Sequence, residues 1–221
     1  LQDLPSKRLG RSPIMFQAFT KKLLLVFIFS VSSLLIAEDY QPGKHYQVLS
    51  EPIATRDSKK IEVIEFFWFG CGHCYSLENQ LNSWEKKLPD DIDFWRSPIT
   101  WNEMAKTHAK LFYAAEFFKK PEIISNTFVS IHANQRMMTS DKELQPFFAS
   151  FGIPENQYQS LFNSFAMQNK IRRADTFGLK YEIRGVPAFI VNGKYKVSAS
   201  RQVGTSELLD VVDYLINLER K

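Results

Sequence analysis

The run Ile61-Glu62-Val63-Ile64-Glu65-Phe66-Phe67-Trp68-Phe69-Gly70-Cys71-Gly72-His73-Cys74 decides how this chain is read. It begins as an apolar segment of strand length, breaks at Gly70, and delivers two cysteines separated by a dipeptide. Behind it, Tyr75, Leu77, Leu81, Trp84 and Leu88 recur at helical spacing. A strand therefore feeds a turn that opens a helix, with Cys71 at the helix N-terminus and Cys74 one turn inside. The thiolate is the reactive form of cysteine, and a helix N-terminus favours negative charge through unpaired N–H groups and the macrodipole. A protonated His73 between the sulfurs acts in the same sense. The expected chemistry is disulfide exchange.

Both of the chain's cysteines lie in this motif, which excludes a structural disulfide framework and a four-cysteine zinc site. The length of 221 residues fits one domain or a domain with an insertion, and 19 Phe supply a sizeable core. The net charge of +4 is local: Lys7, Arg8, Arg11, Lys21 and Lys22 stand against Asp3 alone in residues 1–37, and the remainder is neutral. The charge gives no ground for a nucleic-acid partner.

That N-terminal segment reads as a secretory leader. Lys21-Lys22 precede the apolar run Leu23–Phe29, which continues to Ile36 through Ser30, Ser32 and Ser33, before Ala37 and the acidic Glu38. The run is shorter than the ~20 residues of a comfortable membrane span. Cleavage is expected after Ala37, with a retained N-terminal anchor as the alternative. Met15 would start a leader of ordinary length, so residues 1–14 read as an over-extended start. Export to an oxidising compartment suits disulfide chemistry.

Outward from the motif, Tyr46-Gln47-Val48-Leu49 is a short leading strand and Ile92–Arg96 a second one, closed by Pro98. Helical periods follow. Met104, His108, Leu111, Ala115 and Phe118 form one stripe, and Ile123, Ile124, Phe128 and Ile131 another. Ser140 to Glu143 resembles a capping box ahead of Leu144, Phe147 and Phe148. A further helix after Pro154 is expected to extend toward Phe177-Gly178. Strand signals return at Val186–Val191, and Asn192-Gly193 marks a hairpin into Lys194–Val197. Thr205-Ser206 is expected to cap a last helix carrying Leu208, Val211, Val212, Leu215 and Ile216. The order describes an α/β sheet domain with a helical insertion.

The stretch Phe66 to Tyr75 and the stretch Arg184-Gly185-Val186-Pro187-Ala188-Phe189-Ile190-Val191-Asn192-Gly193-Lys194-Tyr195, together with the leader, resemble the DsbA family of periplasmic thiol:disulfide oxidoreductases. Gly43-Lys44-His45-Tyr46 and the helical block add to the likeness. The resemblance implies a thioredoxin-like fold with an inserted helical domain. Its first part is expected over 38–101, the insertion over 102–178 and the second part over 179–221. It implies that Cys71 and Cys74 form the redox-active disulfide, with Cys71 the exposed attacking thiolate and Cys74 the buried partner. Val186-Pro187 is similar to a cis-proline loop facing the cysteines, where Val186 and Gly72 would meet an extended substrate. Reduced exported polypeptides, and a DsbB-like quinone-linked membrane reoxidase, are the implied partners. A monomer without cofactor or metal is expected.

Gly72 departs from the family's commonest pattern, in which proline stands there, so the geometry and potential of this site are open. Glu65 interrupts an apolar strand and matches a buried acid of the family; if buried it could relay protons for Cys74. Glu62 reads as solvated or paired, His108 as a satisfied core histidine, and His45 and His132 as residues without distinctive context. Met137-Met138 read as helix packing and Arg172-Arg173 as a solvated face. The alternatives are a reductase or isomerase of the same fold, and a non-catalytic peptide- or metal-binding module.

Overall fold

The computed structural model describes residues 40–220; the leader read at 1–37 lies outside the described residues. The apolar run forms β2, Ile61–Phe67, the only strand in the sheet that pairs with both β3, Ile92–Pro98, and β4, Ala188–Val191. It is buried from Glu62 onward, because it is covered on both faces. Val63 packs with Leu77, Leu81, Val212 and Leu215, while Ile64 and Phe66 pack with Ala105, Tyr181 and Ile190. Burying each such side chain contributes about 1.5–3 kcal/mol relative to exposure.

With β1, Gln47–Val48, and β5, Tyr195–Ser198, the sheet has the order β1-β5-β4-β2-β3, in which only β2 and β3 run parallel. A parallel pair needs a crossover, supplied by α1, Gly72–Glu85. The β4–β5 hairpin turns through Asn192 and Gly193 at φ of 50° and 62°, the left-handed pair that the Asn-Gly signal specifies. Gly193 is also held sterically, since a Cβ there would lie 1.9 Å from the Ile53 carbonyl oxygen.

Between β3 and β4 the chain is helical: α2, Glu103–Phe117; α3, Glu122–His132; α4, Asp141–Ala149; α5, Glu155–Phe162; and α6, Phe165–Lys180. The Glu143 carboxylate accepts from the Ser140 N–H, as the capping-box pattern requires. This block encloses its own apolar cluster, which includes Leu111, Phe128, Phe148 and Tyr158 and reaches Phe67, Phe69 and Cys74. The insertion thus packs directly against the cysteine turn.

Four local expectations need correction. The helix after Pro154 is two helices, because Ser164 accepts a hydrogen bond from the Met167 N–H and restarts the ladder as the cap of α6. Thr205-Ser206 do not cap the last helix, α7, Leu208–Glu219; they open a 3-10 turn, and the Glu207 carboxylate accepts from the Gly204 N–H at 2.7 Å. The strand after Gly185 begins at Ala188, leaving Val186 and Pro187 in the preceding loop. Met137-Met138 are not in a helix: Met138 is buried at a φ of 54° and Met137 is exposed.

Candidate active site

β2 ends at Phe67 and the chain turns at once, with the Cys71 N–H donating to the Trp68 carbonyl at 3.0 Å. A Cβ at Gly70 would lie 2.4 Å from the Trp68 indole, so a larger residue in this turn would have to displace that ring. Cys71 is extended, at φ −90° and ψ 117°, and takes the N-cap position of α1. Its sulfur does what a serine oxygen does at a cap: it accepts from the Cys74 N–H, at 3.4 Å. Both cysteines are free thiols.

The Cys71 thiol donates to the Val186 carbonyl at 3.3 Å, and the Val186–Pro187 peptide is cis. The fold thus joins Cys71 to the loop that the family resemblance implies opposite it. Gly72 is exposed and a Cβ there would meet nothing within 4 Å, so no steric demand fixes glycine at this position.

The two sulfurs are in opposite electrostatic situations. Cys71 is partly exposed, and its pKa is lowered from 9.0 to about 6. The first cause is a hydrogen bond from the Cys74 thiol, which outweighs partial burial; the N–H groups of Cys74 and His73 follow. The charge of the His73 imidazole comes after these, so its backbone counts before its ring. That ring is exposed and meets Thr205 Oγ1 through Nδ1 at 3.2 Å. Cys74 is 1% exposed, and burial first, then its hydrogen bond to Cys71 and the Glu65 charge, push its pKa up.

Glu65 is fully buried, which agrees with the buried-acid reading. In the parallel register it stands opposite Arg96, whose Nε donates to one carboxylate oxygen, while the other oxygen has no partner. The rest of the Arg96 guanidinium forks onto Glu78 of α1, at 3.1 and 2.8 Å. Two carboxylates thus share one largely buried cation. Burial pushes the Glu65 pKa up to about 7 against the pull of Arg96, with Glu78 adding to the rise. Arg96 is raised too, its desolvation outweighed by the two acids.

Sequence reading passed over Arg96 and Glu78, although both left signals. Glu78 follows Cys74 at helical spacing, and aligning the starts of β2 and β3 puts Arg96 opposite Glu65. Glu62 is buried and paired, accepting from the Arg56 N–H at 3.2 Å and the Trp95 indole at 3.1 Å. His108 is a satisfied buried histidine: Nδ1 accepts from the Trp68 indole at 3.0 Å and Nε2 donates to the Met137 carbonyl at 2.8 Å. His45 accepts from the Gln41 N–H through Nδ1. His132 does have a distinctive context, against the cysteine turn itself: Nε2 donates to the Phe69 carbonyl at 2.7 Å. No group of three metal-ligating side chains occurs among the described residues.

A C-x-x-C at a strand-to-helix junction, beside a cis-proline on a mixed sheet, defines a thioredoxin-fold thiol:disulfide oxidoreductase. Comparison with known proteins narrows that class. The family described as DSBA-like thioredoxin domain matches residues 62–215. The thiol:disulfide interchange protein DsbA of Pseudomonas aeruginosa is 34% identical over 205 residues, covering 90% of this chain and 97% of the relative. The DsbA of Azotobacter vinelandii is 33% identical over 210 residues, covering 90% and 98%. The crystal structure of Pseudomonas aeruginosa DsbA superposes with a TM-score of 0.77 at 34% identity, over 83% of this chain and 96% of that one. The chain belongs to the DsbA family and is a thiol:disulfide oxidoreductase.

Proposed function

We propose that this protein oxidises reduced exported polypeptides in the periplasm through a disulfide between Cys71 and Cys74. The observation that carries the reading is the asymmetry of the two sulfurs, one acidic and accessible, the other buried with its pKa raised. A substrate thiolate attacks the Cys71 sulfur; the Cys71–Cys74 bond breaks and Cys74 leaves with the electron pair. Its sulfur is buried and the Glu65 charge is among the causes that raise its pKa, so Glu65 is the proposed source of the proton that neutralises it. A second substrate thiolate then attacks the substrate sulfur of the mixed disulfide and expels Cys71 as thiolate. The substrate is oxidised by two electrons and the protein reduced by two.

Whatever stabilises the Cys71 thiolate makes it a better leaving group and stabilises the reduced protein, so it strengthens the oxidant. The Val186 carbonyl and the cis Val186–Pro187 peptide flank Cys71 as a backbone rail for an extended substrate, with the bare Gly72 beside it. Regeneration requires an oxidant, for which a DsbB-like quinone-linked membrane protein is proposed. Export by a leader cleaved after Ala37, function as a monomer, and residues 102–178 as an inserted domain complete the proposal.

The test is stoichiometric. Oxidised protein lacking residues 1–37, mixed with a reduced unfolded polypeptide bearing two thiols, should yield one substrate disulfide for each protein disulfide consumed. Absence of transfer from the oxidised protein would contradict the proposal.

A further inference from the structure

The turn that carries Cys71 is gripped from the helical block by a residue the exchange mechanism does not use. His132 is the last residue of α3. Because its Nε2 faces the Phe69 carbonyl at 2.7 Å, that nitrogen carries the proton and donates. The same ring stacks on Tyr75, with centroids 4.7 Å apart and planes 6° from parallel. Phe69 lies just before the cysteine motif and Tyr75 just after it. One imidazole therefore touches both arms of the segment that presents the two sulfurs.

The backbone in this segment needs such a partner. The sheet's last contribution here is the Ile99 N–H to the Phe67 carbonyl, and the turn itself satisfies the Trp68 carbonyl through Cys71. The next carbonyl, that of the buried Phe69, is the one His132 reaches. On the other arm, the Tyr75 N–H donates to the Cys71 carbonyl at 3.0 Å, so the ring stacked on His132 belongs to the residue that closes the first turn of α1 over Cys71. The buried Phe128 ring packs near both, at 6.0 Å from Tyr75 and 6.2 Å from His132.

We propose that His132 is a positioning residue for disulfide exchange: by holding the Phe69 carbonyl and the Tyr75 ring together, it fixes Cys71 where the Cys74 N–H meets its sulfur. The thiolate of Cys71 is stabilised by short-range hydrogen bonds, which weaken steeply as geometry loosens. Releasing either arm of the segment should therefore make Cys71 less acidic and the protein a weaker oxidant. The inference rests on the reading of Cys71 as the exchanging thiol.

Two variants separate the parts of the contact. His132→Phe keeps a ring to stack on Tyr75 and removes the donor; His132→Gln keeps an N–H near the Nε2 position and removes the ring. The readouts are the pH titration of the Cys71 thiolate by ultraviolet absorbance and the equilibrium constant with glutathione. His132→Phe should move the titration upward and shift the equilibrium toward the protein disulfide between about two- and tenfold, the range one hydrogen bond spans. His132→Gln should recover part of that shift. If His132→Phe does not fold, Tyr75→Leu, which leaves the hydrogen bond and removes the stack, should move both readouts in the same direction by less. An acidic wild-type Cys71 unmoved by the folded variants, even with lowered melting temperatures, would overturn the role of His132 alone. A wild-type Cys71 titrating as an ordinary thiol would overturn both this inference and the reading beneath it.

Discussion

Cys71 and Cys74 are one helical turn apart and could hardly be in more different surroundings. Cys71 faces outward at the N-cap, with the Cys74 N–H and the Val186 carbonyl as partners. Cys74 faces inward, against Phe67, Phe69 and Phe128, and near the carboxylate of Glu65. The difference arises from the geometry of a helix start. The cap residue sees unpaired N–H groups and solvent, whereas a residue one turn inside points at whatever the helix packs on. One tetrapeptide thus yields an acidic thiol and a reluctant one, and an exchange reaction needs both.

Exchanging the roles should have the largest effect. Cys71→Ser should abolish disulfide transfer, whereas Cys74→Ser, mixed with a polypeptide that already carries a disulfide, should attack it through Cys71, release one substrate thiolate and accumulate a mixed disulfide, seen on non-reducing gels. Equal accumulation in both variants would break the comparison. Next is the buried cation shared by Glu65 and Glu78. Arg96→Met leaves Glu65 and Glu78 without their cation and should cost about 3–5 kcal/mol in denaturant unfolding.

Glu65→Gln should be milder and visible through pH. Folded Glu65 holds a proton up to about 7, whereas the unfolded carboxyl loses it near 4.5, so the native state loses stability as pH rises across that window. The Gln variant should lack that decline when urea midpoints are compared at pH 5 and pH 8.

Cys71 has the opposite sign. Between about 6 and 9.0 it binds fewer protons folded than unfolded, so the reduced protein gains stability as pH rises across that range and loses it below. Alkylation of the reduced protein by iodoacetamide should accordingly rise through pH 6 and level off above 7. The smallest effect is expected from Gly72→Pro. The site is the first residue of α1, where proline is favoured, and nothing crowds a side chain there. A thermal-unfolding gain of about 0.4–1 kcal/mol is expected from the restricted unfolded chain.

Much of this site could be read locally. Gly70, the cysteines and the helical period behind them specify the turn within a few residues, and Asn192-Gly193 specifies the hairpin that joins β4 to β5. Glu65 stood out because a carboxylate interrupts an apolar strand. Its partners are set by strand register and by the face of α1, so Arg96 and Glu78 emerge only when two elements are aligned. His132 is further still from local logic, since its contact depends on how α3 packs against the turn. The break between α5 and α6 was hidden because the apolar period runs through it, and only the Ser164 cap marks the restart.

The central claim is that the acidity of Cys71 makes this protein an oxidant, and the redox equilibrium of the mature protein with glutathione tests it most directly. The protein should be reduced by glutathione concentrations that leave ordinary structural disulfides intact, placing its potential well above the glutathione couple, with the reduced form the more resistant to denaturant at pH 7. A potential near that of thioredoxin, with the oxidised form the more resistant, would contradict the account.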